Sequence, residues 1–149
     1  MQATTDPRLS EVLSAVFGQM SKAIGRSPGL LTRGDYTVLG LTAALGPRRL
    51  CEIADAEGHD PSTTSRRISA LVDRGLLERT PDPDDGRAHR VHLTGPGRDL
   101  LEAERARRAA LVEHALHDWD AADREALTRL LSRLHDTLAR TSGRSERTS

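Results

Sequence analysis

Residues 61–71 read PSTTSRRISAL and follow Gly58 and Asp60. Aspartate is a favoured N-cap and proline a favoured first helical residue, so a helix is predicted over about 61–74. A shorter helix is predicted over about 50–57, and Gly58 ends it, because glycine is common just past a helix C-terminus. Two short helices joined by a tight, glycine-containing turn make this stretch a predicted helix-turn-helix.

The second helix of this pair has a core face and an exposed face. At 3.6 residues per turn, Thr64, Ile68, Leu71 and Val72 share the core face, and Arg66 lies almost opposite them. Small hydroxyl side chains permit a close approach to DNA and can bond phosphates, while arginines reach base edges, so this helix is predicted to enter a major groove. An ordinary amphipathic surface helix is the alternative for this stretch alone. The DNA-binding residues predicted here are Pro61, Ser62, Thr63, Ser65, Arg66 and Arg67.

A β-hairpin is predicted directly after the helix pair, which is the position of a wing. Residues 76–80 and 89–93 are predicted strands, and PDPDDGR at 81–87 is rich in turn formers. An arginine at a hairpin tip can enter a narrow minor groove, and Asp85 is close enough to hold the Arg87 side chain in an ion pair. A solvated turn is the alternative. The wing adds Asp85, Arg87 and Arg90 to the predicted DNA-binding residues.

Four further helices are predicted from periodic apolar side chains and capping signals. They are the stripe Leu9–Ile24, the segment from Thr32 to Gly46, a long helix from Thr94 to about Asp118, and a last helix after Asp120, with a turn at 27–29 and a frayed end from Thr141. The predicted fold is mainly α with a small β-wing. It is a single domain over 1–149, with a winged helix-turn-helix at 32–98 and terminal dimerisation helices at 7–26 and 96–141. A homodimer is expected because the terminal stripes need more apolar cover than one chain gives.

Composition restricts the mode of binding. Aromatic residues are 2% of the chain, so stacking on single-stranded nucleic acid is nearly excluded. The formal net charge is zero, and residues 48–90 hold eight arginines against nine acidic residues. Binding to DNA must therefore depend on where the arginines point and on the presence of two sets of them in a dimer. No apolar run approaches the length of about 18 residues that suits a membrane span, and no signal-peptide layout precedes residue 7, so a cytoplasmic protein without membrane contact is expected.

The chain resembles the MarR family of transcription regulators. The resemblance is carried by Ile53-Ala54, Gly58, Asp60-Pro61-Ser62-Thr63, Ser65-Arg66, Leu71, Gly75-Leu76-Leu77-Glu78-Arg79, Asp82, Asp85-Gly86-Arg87 and Leu93-Thr94. It implies a homodimeric repressor or activator on double-stranded DNA, with the fourth helix in the major groove and the wing arginine in the minor groove. Many members release DNA on binding small aromatic or phenolic ligands. Glu57 and Thr64 stand where the family usually has aliphatic residues, which suggests a more open helix end and a half-buried threonine.

A small-molecule effector is the last of these expectations. A cleft bordered by the first, second and fifth helices would hold it, and plain core is the alternative for its candidate lining. The candidate lining residues are Phe17, Met20, Tyr36 and Val112.

Other classes of function have weaker support. No phosphate loop, HExxH motif or nucleophile elbow is present, so no enzyme, catalytic residue or cofactor is predicted. His114 and His117 are one helical turn apart and could share zinc, but two polar side chains on an amphipathic helix are the simpler interpretation, and no metal is predicted. A helical protein-interaction module is the remaining alternative, although it would not need the wing. The single cysteine, Cys51, is expected to be a small buried filler rather than a redox sensor.

Overall fold

The computed structural model describes residues 7–26, 31–58 and 60–145. Its elements in chain order are α1 (Pro7–Arg26), α2 (Arg33–Leu45), β1 (Arg48–Arg49), α3 (Leu50–Glu57), α4 (Pro61–Asp73), β2 (Leu77–Pro81), β3 (His89–Leu93), α5 (Gly95–Ala115) and α6 (Ala121–Ser145). The predicted fold class, mainly helical with a small β-wing, is confirmed. The turn predicted at 27–29 lies outside the described residues.

Local capping chemistry sets the helix ends. The Thr32 hydroxyl accepts the backbone N–H of Asp35 at 3.1 Å, and the Asp35 carboxylate accepts that of Thr32 at 3.3 Å, which completes a capping box. Gly58 ends α3 at φ 69° and ψ 27°, a left-handed conformation that glycine adopts without strain. Thr94 and Asp120 each cap the next helix through a side-chain oxygen, as predicted.

The sheet has three antiparallel strands in the order β1-β3-β2. Strand β1 was not expected, because two residues are too few to show an alternating pattern; Arg48 pairs with Val91 and Arg49 with Arg90. Strand β2 begins one residue later than predicted, at Leu77, and pairs with β3 over its full length. The extra strand attaches the wing to the start of α3.

The hydrophobic core lies beneath the helix-turn-helix and the sheet. The predicted core face of α4 is confirmed: Thr64, Ile68 and Leu71 are fully buried, and Val72 is half-buried against the core. They lie with Val38 and Leu39 of α2, Ile53 of α3, Leu77 and Val91 of the sheet, and Leu101 of α5. Burial of these side chains is the main source of stability for the helix-turn-helix and the sheet, since each contributes about 1.5–3 kcal/mol.

The chain divides into two compact units, the first ending at Ala109 and the second beginning at Ala110. In the first unit, α1 leaves several large apolar side chains exposed: Leu9, Val12, Val16 and Phe17. In the second unit, α6 does the same with Leu130, Leu131 and Leu138, and it continues to Ser145, past the predicted fraying at Thr141. Helix α5 ends at Ala115, three residues earlier than expected. None of the described helices combines the length and the low polarity that a membrane crossing requires.

Candidate nucleic-acid interface

The first turn of α4 is organised by the carboxylate of Asp60. One oxygen, Oδ1, accepts the backbone N–H groups of Ser62 and Thr63 at 2.9 and 3.1 Å and the Ser62 hydroxyl at 2.5 Å. The other oxygen, Oδ2, accepts the Thr63 hydroxyl at 2.6 Å. These bonds, first that of the Ser62 hydroxyl and then that of Thr63, hold the pKa of Asp60 well below its ordinary value. Neither hydroxyl is therefore available as a donor to phosphate in this arrangement, contrary to the sequence-based expectation.

The two arginines of α4 have different surroundings. Arg66 is exposed, and its only side-chain hydrogen bond to a described residue is a long one, 3.5 Å from Nη2 to the Ser62 hydroxyl. Arg67 forms an ion pair with Glu57 of α3, and its guanidinium covers Gly34 of α2 so closely that a Cβ there would overlap it. Of these two arginines, only Arg66 is exposed and lacks a carboxylate partner among the described residues.

The interpretation of Glu57 as an open helix end was wrong. Its side chain is 1% exposed, and its carboxylate accepts both an Arg67 N–H and the hydroxyl of Thr64, the latter at 2.8 Å. Thr64 is fully buried rather than half-buried. The two departures from the family pattern thus form one polar pair, since each supplies the hydrogen bond that the other needs in the core.

A buried carboxylate also fixes the base of the wing. Asp82 is 3% exposed and accepts Arg49 Nε at 2.7 Å, Arg90 Nε at 3.0 Å and the Asp84 backbone N–H at 2.8 Å. The Arg49 bond, followed by that of Asp84, holds the pKa of Asp82 far below its ordinary range, so the carboxylate stays ionised. Arg90, a predicted DNA-binding residue, also bonds Asp84 at 3.0 Å. Arg90 therefore stabilises the conformation of the wing in this structure.

The wing tip carries an exposed arginine. Arg87 lies in the loop between β2 and β3, and Asp85 accepts its backbone N–H at 3.1 Å. The expected side-chain ion pair between Asp85 and Arg87 is not formed, because the carboxylate instead closes the turn on the main chain. Within the described part of the chain, the Arg87 guanidinium has no carboxylate partner.

One exposed arginine was not selected from the sequence. Arg79 lies on β2, and its Nη2 donates to the Ser69 hydroxyl of α4 at 2.9 Å. Strand alternation could have placed its side chain outward, but the link to α4 spans ten residues and depends on the tertiary fold. Among residues 48–90, Arg66, Arg79 and Arg87 are the arginines that no described carboxylate neutralises.

The candidate effector residues occupy different settings. Tyr36 is half-buried, with the Arg108 guanidinium 3.5 Å from its ring centroid. Met20 is half-buried as well, whereas Phe17 is 63% exposed and so is not plain core. Val112 belongs to the second unit and is also exposed.

A buried acidic group binds the Arg108 guanidinium that covers the Tyr36 ring. Glu104 accepts two N–H bonds from Arg107 and one from Arg108. These bonds, led by those of Arg107, lower the pKa of Glu104 to about 2. Arg107 Nη1 and Arg108 Nη2 remain buried without a hydrogen-bond partner among the described groups.

Two remaining sequence hypotheses concern metal and redox chemistry. The rings of His114 and His117 stack with centroids 6.0 Å apart, but no group of three ligand-type side chains that could hold a metal occurs in the ranges described. Cys51 is exposed rather than a buried filler, because the second position of α3 faces away from the core.

Known proteins resemble this chain in sequence and in fold. A family model described as the MarR family matches residues 31–89. YxaD, an uncharacterized HTH-type transcriptional regulator of Bacillus subtilis, is 35% identical over 107 residues, which cover 72% of this chain and 75% of YxaD. A MarR family protein from Bacillus stearothermophilus has a similar fold, with a TM-score of 0.83 at 18% identity, over 93% of this chain and 99% of that one.

A further solved structure concerns ligand control. It is BpsR of Bordetella bronchiseptica, whose DNA binding is regulated by 6-hydroxynicotinic acid. BpsR is 25% identical with a TM-score of 0.68, over 86% of this chain and 98% of its own. YxaD and BpsR are named for transcription regulation and for DNA binding, respectively. Together with the helix-turn-helix and the wing, they show that the chain belongs to the MarR family of DNA-binding, winged helix-turn-helix transcription regulators.

Proposed function

We propose that this chain binds a palindromic, double-stranded operator as a homodimer, acts as a repressor, and is released from DNA by a small aromatic acid. The observation that carries the proposal is the set of three arginines without a described carboxylate partner, Arg66, Arg79 and Arg87. All three belong to the helix-turn-helix and its wing. Since residues 48–90 have no net excess of positive charge, these three supply the local field that phosphates require.

The DNA groove that each arginine contacts follows from the element that carries it. Helix α4 enters the major groove, where Arg66 donates to guanine O6 and N7, while Arg87 enters the adjacent minor groove at an A·T-rich step. Asparagine is absent from the chain and the glutamines are Gln2 and Gln19, so the usual bidentate reader of adenine is missing from α4. Half-sites are expected about one helical turn apart, with a required G·C pair in each.

The exposed apolar side chains support a second copy as the partner of the terminal helices. Leu9, Val12, Val16 and Phe17 on α1 are all more than half exposed, and Leu130 and Leu138 on α6 are likewise. Stripes of this kind are unusual on a monomer and suit a two-fold interface. A dimer also doubles the three arginines and so raises affinity without a basic composition.

The proposed effector binds beside Tyr36. The buried N–H groups on Arg107 and Arg108 that lack partners are suited to a carboxylate, and the Tyr36 ring is suited to an aromatic plane. The control of BpsR by 6-hydroxynicotinic acid supports an aromatic acid as the class. Phe17 and Met20 stay in the proposal as apolar lining.

Selection from a random DNA library, followed by anisotropy titrations on the recovered duplex, tests this function. The expected product is a palindrome with at least one fixed G·C pair per half-site, and Arg66→Ala should relax the preference at the pair that Arg66 contacts. Arg105→Ala, which removes an exposed arginine paired with Glu102 on α5, is the matched control and should leave the preference intact. Recovery of no sequence would overturn the proposed function. Salicylate or 6-hydroxynicotinate should weaken binding; unchanged affinity would remove the effector from the proposal.

A further inference from the structure

The hydroxyl protons of Ser62 and Thr63, in the first turn of α4, have fixed directions. An ionised carboxylate can only accept hydrogen bonds, whereas a serine or threonine hydroxyl has one proton to donate and two lone pairs. Ser62 and Thr63 lie 2.5 and 2.6 Å from the Asp60 oxygens, so both hydroxyls must be the donors in these bonds. The protons are directed back at the cap, and only lone pairs are left to face outward.

The Arg66 contact agrees with this polarity. Its Nη2 donates to the Ser62 oxygen at 3.5 Å, which requires a lone pair on that oxygen. A directed chain therefore runs from Arg66 through Ser62 to Asp60. The low pKa of Asp60 means that the carboxylate remains the acceptor throughout the physiological pH range.

We propose that Asp60 is a specificity-determining residue, which makes the first turn of α4 a hydrogen-bond acceptor surface that selects adenine or cytosine on the strand it faces. The inference rests on the proposed function and deepens it. In the major groove adenine and cytosine present the amino groups N6 and N4, while guanine and thymine present the carbonyl oxygens O6 and O4. Lone pairs on Ser62 and Thr63 attract the first pair of bases and repel the second. To donate to a carbonyl, either hydroxyl would have to leave a charge-assisted bond, a penalty of roughly tenfold or more in affinity.

The test combines sequence selection with base analogues. Wild-type protein should select adenine or cytosine at one or two positions per half-site, next to the guanine read by Arg66. Replacing a selected adenine with purine, or a selected cytosine with 2-pyrimidinone, deletes the amino group and should weaken binding roughly 3- to 10-fold. In Asp60→Asn, which keeps a good N-cap, Oδ1 can still accept from Ser62, but an NH2 group replaces the oxygen that accepts from Thr63, so the Thr63 proton is released. The amino preference at the position that Thr63 faces should then disappear, and the analogue at that position should change affinity less than about twofold.

Two further variants control for folding and charge. Asp120→Asn changes the N-cap of α6 in the same way and should retain the wild-type base preference. Thr63→Val keeps the side-chain shape, removes one acceptor and should abolish the preference at one position only. If wild-type protein selects a sequence but prefers guanine or thymine at these positions, or if Asp60→Asn keeps the amino preference at the position that Thr63→Val identifies, the inference is overturned while the proposed function stands. If wild-type protein selects no sequence, both are overturned.

Discussion

The ion pair between Glu57 and Arg67 predicts a stability change that can be isolated by one isosteric substitution. Glu57→Gln preserves side-chain volume, so no cavity term enters, but it removes the charge that accepts from Arg67. Thr64 is fully buried and depends on the same side chain, whereas Arg67 is 24% exposed and can turn toward water. A lost charge-assisted bond, reduced by that exposure, gives about 1–2 kcal/mol of destabilisation.

Thermal unfolding at a fixed protein concentration measures this effect. A loss of that size lowers the midpoint by about 3–6 °C for a chain of this length. Asp55→Asn removes a charge from an exposed position of the same helix and should stay within about 0.5 kcal/mol of wild type. The double variant Glu57→Leu with Thr64→Val replaces the polar pair by an apolar one. It should recover most of the loss because the fully buried Thr64 hydroxyl is removed together with its acceptor, while Arg67 can turn toward water.

The same variant has a consequence for DNA. Releasing Arg67 from Glu57 adds one cation near the phosphates, so the slope of log affinity against log salt should steepen by about one unit. Arg67→Ala in the wild-type background should leave that slope unchanged, because the guanidinium is already neutralised. An unaltered melting midpoint in Glu57→Gln would refute the stability argument. A shallower salt slope in Arg67→Ala would show that Arg67 contacts the phosphates despite its ion pair.

Three further predictions concern other parts of the molecule. Arg87→Ala should weaken operator binding several-fold and make the salt slope shallower by about one unit with a normal melting curve; unchanged affinity would show that the wing tip does not contact DNA. The folded-state pKa of Glu104, about 2, lies below the ordinary value of 4.5. Its contribution to stability is therefore present above about pH 4.5 and lost as the pH falls toward 2, so the stability gap between wild type and Glu104→Gln should close in acid, and a gap independent of pH would contradict the assignment. Leu130→Glu with Leu138→Glu should turn a dimer into a monomer in sedimentation at micromolar concentration, and a wild-type monomer would exclude the proposed interface.

Much of the fold was predictable because helix limits depend on neighbours in sequence. The caps at Thr32 and Asp60 act over three residues, and Gly58 ends α3 through its own backbone conformation. The core face of α4 followed from helical periodicity alone. Strand β1 was missed, since its two residues become a strand only when β3 is beside them.

The sequence by itself determined the helix-turn-helix, the wing and the core face of α4, because each depends on local periodicity or on a cap a few residues away. Only the tertiary structure decided which of the charged groups are neutralised. Asp82 meets Arg49 across 33 positions and Glu57 meets Arg67 across ten, distances at which spacing gives no information. The physical reason is that an ion pair requires two side chains within about 4 Å of each other. That proximity is set by the packing of α2, α3, α4 and the sheet. Among residues 48–90, it leaves Arg66, Arg79 and Arg87 as the arginines without a described carboxylate partner.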